Sequence, residues 1–537
     1  MKNYLTGLID SNLFFLSLIL FVIVLPLSVA LISVVGGLVL LTAILEDTRK
    51  AKWERIKQRK IILLIPLIFL LYFVSTLFTL QYNKSFYDVQ KTLFYLVFPL
   101  AFSMGKEMNS QQKRFVLFSL TISTVSAIII AIFRWKFTVL ENESLTVRDI
   151  SLVSHIRFGF QLILMIWFWA LIMLNNYRLL TKAKRIGILV LITVYIGFLL
   201  FQQSLTGIIA LVSSAVLFLF YLVTKLSTRK RIPIVILFIA LLLAPLIYLY
   251  SSINKFYDIE KVNPNSIEKV TINGNQYKHD FSRKMVENGH YVYLYICQKE
   301  MKEEWNKIAD VKYDSTGVNG YPIRATLIRY LTSKGLRKDA EGVKALTEKD
   351  IENIERGIAN VIYEKKYSLY PRIYQTIWEY HVYSETGYAN NQSFSQRIEF
   401  AKAAITIIKD NWLFGVGTGN WKTAFSNAFK ENGANIEESN YASSHNQYLN
   451  YMVKFGVIGC LFIMFIIIYP VVKTKRYNDQ LLMLLLTFMF FANFADSNLE
   501  THVGSSFFFF FYCYFLTGPK NYLFLTISNH CCPGNRI

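Results

Sequence analysis

The stretch "SSHNQYLNYMVKFGVIG", Ser443 to Gly459, runs a polar cluster straight into an apolar segment, with His445 and Asn446 at the junction. A histidine near its ordinary pKa can take a proton from an alcohol. Two arginines bear on the same chemistry, Arg157 in "SHIRFGFQ" and Arg397 in "SFSQRIEFAKAA". The planar guanidinium fork binds phosphate oxygens in pairs. A histidine with two such arginines suits transfer of a group from a phosphate leaving group to a hydroxyl. Plainer readings stand beside this one: a polar cap at a membrane interface for the histidine, and snorkelling interface cations for the arginines.

The elements that must position these residues are apolar helices. The chain has 537 residues, 53% hydrophobic and 16% aromatic, with a mean hydropathy of +0.35. Apolar runs of about 18 residues or more read as transmembrane helices. The reading is an all-α polytopic membrane protein with about twelve spans, near 11–25, 27–45, 61–80, 88–104, 113–133, 156–175, 185–201, 205–224, 232–251, 447–471, 479–495 and 503–519. The first two share one apolar run, split near Pro26. That run is too long for a secretory h-region and is expected to be retained. The organisation expected is a nine-helix membrane bundle over 1–251, a large loop over 252–446, and three helices with a short tail over 447–537.

The net charge of +21 raises the possibility of nucleic-acid binding, but its placement argues against it. Residues 252–446 carry 26 Lys and Arg against 24 Asp and Glu, so the excess lies elsewhere. It concentrates in "EDTRKAKWERIKQRK" (46–60), "NNYRLLTKAKR" (175–185), "TKLSTRKR" (224–231) and "KTKR" (473–476), short segments separated by even numbers of expected spans. Basic short loops mark the cytoplasmic side. This places both termini inside and the 252–446 loop outside. The five cysteines show no zinc-like spacing, and Cys297 is the only one in the loop.

A loop of this length is too long to lack structure. Asn273-Gly274 in "VTINGNQY" signals a hairpin. "HYVYLYICQKE" (290–300) suits a further strand. Thr347, with Asp350 three residues on, opens a helix whose Ile351, Ile354 and Ile358 recur at helical spacing. Another helix begins near Ser395. "GVGTGN" (415–420) lacks the strand and βαβ frame of a dinucleotide loop and reads as a turn between two helices. For a regular helix begun at His445, Gly456 lies about 20° and Gly459 about 40° from the histidine's direction. Small residues on that face let helices approach closely in lipid, which makes Gly456 and Gly459 candidate helix-packing positions.

"HN", nine residues and then "GVIG", together with "RIEFAKAAITIIKDNWLFGVGTGNW" (397–421), resembles the signature of the O-antigen ligase and polymerase superfamily. The resemblance implies a GT-C-like helical glycosyltransferase of the bacterial inner membrane, working on the periplasmic face. It implies a donor glycan on undecaprenyl diphosphate and, for the ligases, a lipid A core acceptor, with no nucleotide sugar, cofactor or metal. Carried over, His445 is the base that activates the acceptor hydroxyl. Arg157 and Arg397 hold the diphosphate, and Asn446 supports the histidine or contacts sugar. One departure stands out: "FQQSLTGIIAL" has Leu205 where members often have an arginine. A polymerase joining repeat units on the same carrier is the close alternative, and a protein-glycosylating ligase is a third relative. A transporter is the reading from another class; it would want several ionisable residues deep in spans, and only Lys454 and Asp496 stand out.

Overall fold

The computed structural model describes residues 12–77, 82–139, 146–225, 228–365 and 368–524. Among them the chain is mostly helical, with one two-stranded antiparallel ladder pairing Val286–Glu287 with His290–Tyr291. Each of the twelve expected spans contains helix. By length and composition, however, seven helices are able to cross a membrane, or eight if the Val29–Leu45 and Arg49–Gln58 pair, bent by 112°, is one span. The difference has identifiable causes. Leu13–Val24, Gln480–Ala495 and His502–Leu516 are apolar but short. The expected span at 88–104 is broken into Tyr82–Lys91 and Phe94–Met104.

Polar residues define many of the helix ends. Ser28, Thr48, Thr181 and Thr501 each cap a helix by accepting from a backbone N–H three residues on, and Asn109 forms a full capping box with Gln112. The helix His502–Leu516 is apolar on all sides. From Val503 onward every residue in it is buried, so it runs through the centre of the bundle. Its rings pack in stacked and edge arrangements, for example Phe510 on Phe21 at 4.5 Å and Phe509 on Tyr95 at 4.1 Å. By contrast, none of the most apolar window of Arg231–Phe256 is buried. An all-apolar helix left bare in this way is solvated by lipid tails.

The 252–446 region carries its own cores. One gathers Trp305, Leu327, Leu331 and Ile354. A second joins Phe256 to Tyr374 and Ile377. A third, around Phe400, Ala404, Phe425 and Phe429, takes in Val453 of the following apolar helix. The last core seats the helices Ser393–Asp410 and Trp421–Glu431 directly on the membrane helix Gln447–Lys473. The Asn273-Gly274 hairpin is present as a tight turn, with Val270 bridging Gln276 and Gly274 at φ +81. The Thr347–Asp350 capping box forms, but its helix ends at Glu355, two residues before Gly357 at φ +84. The apolar stretch 290–296 forms only a two-residue strand.

Candidate active site

The helix Gln447–Lys473 begins one residue later than a helix opened by the histidine. Asn446 is its N-cap, accepting from Tyr448 N at 3.0 Å and Leu449 N at 3.1 Å, and its Nδ2 donates to Phe494 O at 3.2 Å. Asn446 therefore bonds backbone through both its amide oxygen and its amide nitrogen, next to His445. His445 precedes it at φ +49, in the left-handed region. This conformation is uncommon for a residue with a side chain and persists only where its surroundings enforce it. Here Ser444 Oγ donates to Asn450 Oδ1 at 2.7 Å, and Asn450 Nδ2 donates to Ser497 Oγ at 2.6 Å. These bonds pin the corner from both sides.

The histidine is held by a carboxylate that is remote in sequence. Its Nδ1 lies 3.1 Å from Asp496 Oδ1. Asp496 Oδ2 accepts from Arg157 at 2.7 Å, and Arg157 also donates to Ser154 Oγ at 3.2 Å. An ionised carboxylate only accepts, so Nδ1 must carry the hydrogen and Nε2 presents its lone pair. Burial alone would raise the Asp496 pKa, but the hydrogen bond from His445 and the charge of Arg157 hold it down at about 2. The histidine side chain remains 40% exposed while Asp496 is 11% exposed, so the imidazole is anchored on one side and accessible on the other. Phe400, at 5.7 Å between ring centroids, backs the imidazole.

His445, Arg157 and Asp496 line a cavity of about 300 Å³ together with Lys91, Lys454 and Glu500. Lys454, 4% exposed, pairs with Glu500 at 2.9 Å. Tyr72 also donates to Glu500 at 2.6 Å. On the far wall Asp88 accepts from Trp421 Nε1 at 2.7 Å and pairs with Lys91 at 3.1 Å. Paired charges at this depth in an apolar bundle are costly and mark function. A second cavity of about 700 Å³ shares Lys91, Glu500 and Thr501 with the first and continues along the apolar residues Val29, Leu93, Phe94 and Val97.

Arg397 is not part of the cavity lining. It is half-buried on the helix Ser393–Asp410, one turn before Phe400. Among the described residues its guanidinium has no hydrogen-bonding partner. Burial chiefly lowers the pKa of Arg372, Glu379 opposes this, and the positive charge of Arg397 adds to the lowering. Sequence reasoning put His445, Arg157 and Arg397 together on the outer face; the structure brings His445 and Arg157 to one cavity and leaves Arg397 outside its lining. Asp88, Lys91, Tyr72, Trp421 and Glu500 were not singled out, Lys454 was weighed as a transporter feature or a cavity-lining residue, and Asp496 as a transporter feature. The signal for Asp496 and Glu500 was "FADSNLE", acids at the end of an apolar block. Among the described residues no group of three or more His, Cys, Asp or Glu is placed to hold a metal.

The glycines act differently from the regular-helix expectation. Gly456 has φ +64 and ψ −171 and breaks the helix. A Cβ there would lie 2.2 Å from the Leu413 carbonyl. On the other side Gly415, at φ +69, faces the backbone of Lys454 to Gly456, which a Cβ there would meet at 2.5 to 2.6 Å. "GVGTGN" is a turn between two helices, and it is also a clamp. Val416 N and Gly417 N donate to Val453 O and Lys454 O at 2.8 and 2.9 Å, and Val457 N donates to Trp412 O at 2.8 Å. Thr418 N adds a bond to Ser75 Oγ at 2.8 Å. Gly456 thus meets a loop backbone rather than a neighbouring helix. Gly459 is buried chiefly against Phe455 of its own helix, with Leu71 at 3.8 Å. Gly456→Ala is expected to cost about 3 kcal/mol or more, since strain and overlap both apply; an unchanged melting temperature in detergent would contradict this.

Residues 347–464 match the family model described as O-antigen ligase. The matched stretch holds Arg397, the clamp, His445 and both glycines, but not Arg157 or Asp496. Over those residues the chain is similar to the O-antigen ligase and polymerase superfamily, whose members are membrane glycosyltransferase-like enzymes. A search of curated proteins finds no match to the chain.

Proposed function

We propose that this protein transfers a glycan from undecaprenyl diphosphate to a hydroxyl of a lipid A core at the periplasmic face of the inner membrane, as an O-antigen ligase. The observation that carries the reading is the Asp496-anchored His445, in a cavity that shares Lys91, Glu500 and Thr501 with a largely apolar groove. The acceptor oxygen attacks the anomeric carbon of the donor and gives its proton to His445 Nε2. The bond from that carbon to the phosphate oxygen breaks, and the diphosphate leaves on its lipid. Proton and leaving group depart in different directions, as a single base and a fixed cation set require. Undecaprenyl chains are apolar, so the groove suits the lipid tail, with Lys91 at its mouth beside the diphosphate.

Arg157 is committed to Asp496, so its first role in this account is to fix the carboxylate. Charge for the diphosphate comes from Lys91 in the cavity wall and from Arg397, which lies outside that wall on the helix Ser393–Asp410. Arg397→Lys is expected to lower kcat/KM by about tenfold or more, because a point charge cannot reproduce the fork. A wild-type value would remove Arg397 from the substrate. Lys91→Gln is expected to raise KM for the lipid-linked donor more than it lowers kcat; an unchanged KM would remove Lys91 from the donor site.

The test of the ligase reading is a gel of surface lipopolysaccharide from a strain lacking the protein. Bare core, with long glycan accumulating on the carrier lipid, is the expected result. Core bearing a single repeat would instead mean that the protein polymerises repeat units.

A further inference from the structure

The basic end of the bundle carries a groove that the transfer reaction does not use. The helices Ser110–Arg134, His155–Asn175 and Lys182–Phe201 flank a cavity of about 900 Å³. Its walls are apolar and turned outward, with Phe118 45% and Ile122 57% exposed. Two of the polar groups in the wall are bonded to each other and to backbone: Trp169 Nε1 donates to Thr121 Oγ1 at 3.0 Å, and Thr121 Oγ1 donates to Leu117 O at 3.0 Å. Between them and Ser126 the trough is lined by apolar side chains.

At one end the chemistry changes. Gln111 and Arg114 stand at the start of the first helix and Lys184 at the start of the third. Arg114 is fixed there, donating to the carbonyls of Tyr522 at 3.0 Å and Phe524 at 2.8 Å. Lys184 is exposed, and its ammonium has no hydrogen-bond or ion-pair partner among the described residues. A second cavity of about 550 Å³ shares Gln111 and Arg114 and adds Asn109, Ser110 and Asn521. An apolar trough therefore ends in two cations and leads into a basin of hydrogen-bonding side chains. The adjoining segment 175–185 contains Arg178, Lys182, Lys184 and Arg185 and no acid.

We propose that this trough and basin bind an anionic phospholipid, with an acyl chain along Phe118, Ile122 and Ile188, the phosphate by Arg114 and Lys184, and the headgroup hydroxyls in the basin. Basic pockets between transmembrane helices on the side of the basic loops recognise acidic headgroups. A zwitterionic lipid would bring its own ammonium group against these cations, whereas a phosphatidylglycerol headgroup brings only hydroxyls.

The test is native mass spectrometry of the full chain, purified in detergent and titrated with phosphatidylglycerol or phosphatidylethanolamine. Phosphatidylglycerol should be retained at least about tenfold better. Retention should fall in Lys184→Gln, which leaves the carbonyl contacts of Arg114 intact, and in Ile122→Trp, which fills the trough. Equal retention of the two lipids, or phosphatidylglycerol retention unchanged in both variants, would overturn the proposal. Neither readout depends on the transfer reaction.

Discussion

Replacing His445 with alanine is expected to lower glycan transfer by about 10²–10⁴-fold while leaving the protein in the membrane. The size of the effect follows from the geometry. Among the described residues His445 is the only histidine lining its cavity, and its Nδ1 is taken by Asp496. The acidic neighbours cannot replace it, because Asp496 is bound by Arg157 and Glu500 by Lys454 and Tyr72. Protein yield should change little, since the helix is capped by Asn446 and the corner is pinned by Ser444 and Asn450. Transfer measured in membranes holding matched amounts of protein gives the answer. Full activity in the alanine variant would end the general-base assignment.

Asp496→Asn is expected to be nearly as severe, at about 10³–10⁴-fold, by the reasoning that applies to a carboxylate-held histidine in hydrolases. The amide can offer an N–H to Nδ1, which stabilises the tautomer whose Nε2 carries the hydrogen and cannot accept one. It also leaves the Arg157 guanidinium without its counter-charge. Asp496→Glu should recover part of the rate, since charge and acceptor character return with altered reach. An Asn variant as active as wild type would show that Asp496 does not set the tautomer. The pH dependence carries a sign. Asp496 is held at about 2 in the fold, below its ordinary value near 3.8, so the stabilisation from its two partners is complete above roughly pH 4. It is lost as pH falls through about 2.

Much of this architecture could be read from the residues. Hydropathy blocks located helix in every expected span because each backbone amide in lipid must bond within its own segment. Length was harder to read: the Gln480–Ala495 and His502–Leu516 helices are short, and burial inside the bundle makes their apolar character ambiguous. The histidine proposed as the base was legible as a candidate from its type and its place at an apolar edge. Its partner was not, because Asp496 lies 51 residues on and the contact depends on how two helices meet. The angular argument linking His445 to Gly456 and Gly459 assumed an unbroken helix. It failed at two points of positive φ, at His445 itself and at Gly456. "GVGTGN" was legible as a turn from its glycines, but its clamp on the helix break required knowing that a break existed.

The most direct measurement is transfer by the purified protein in detergent, supplied with a glycan on undecaprenyl diphosphate and a lipid A core acceptor, without nucleotide or ion gradient. The account predicts glycosylated core and released undecaprenyl diphosphate with the wild type, and neither with His445→Ala. Transfer that persists in His445→Ala, or no transfer by a wild type that binds both substrates, would contradict it.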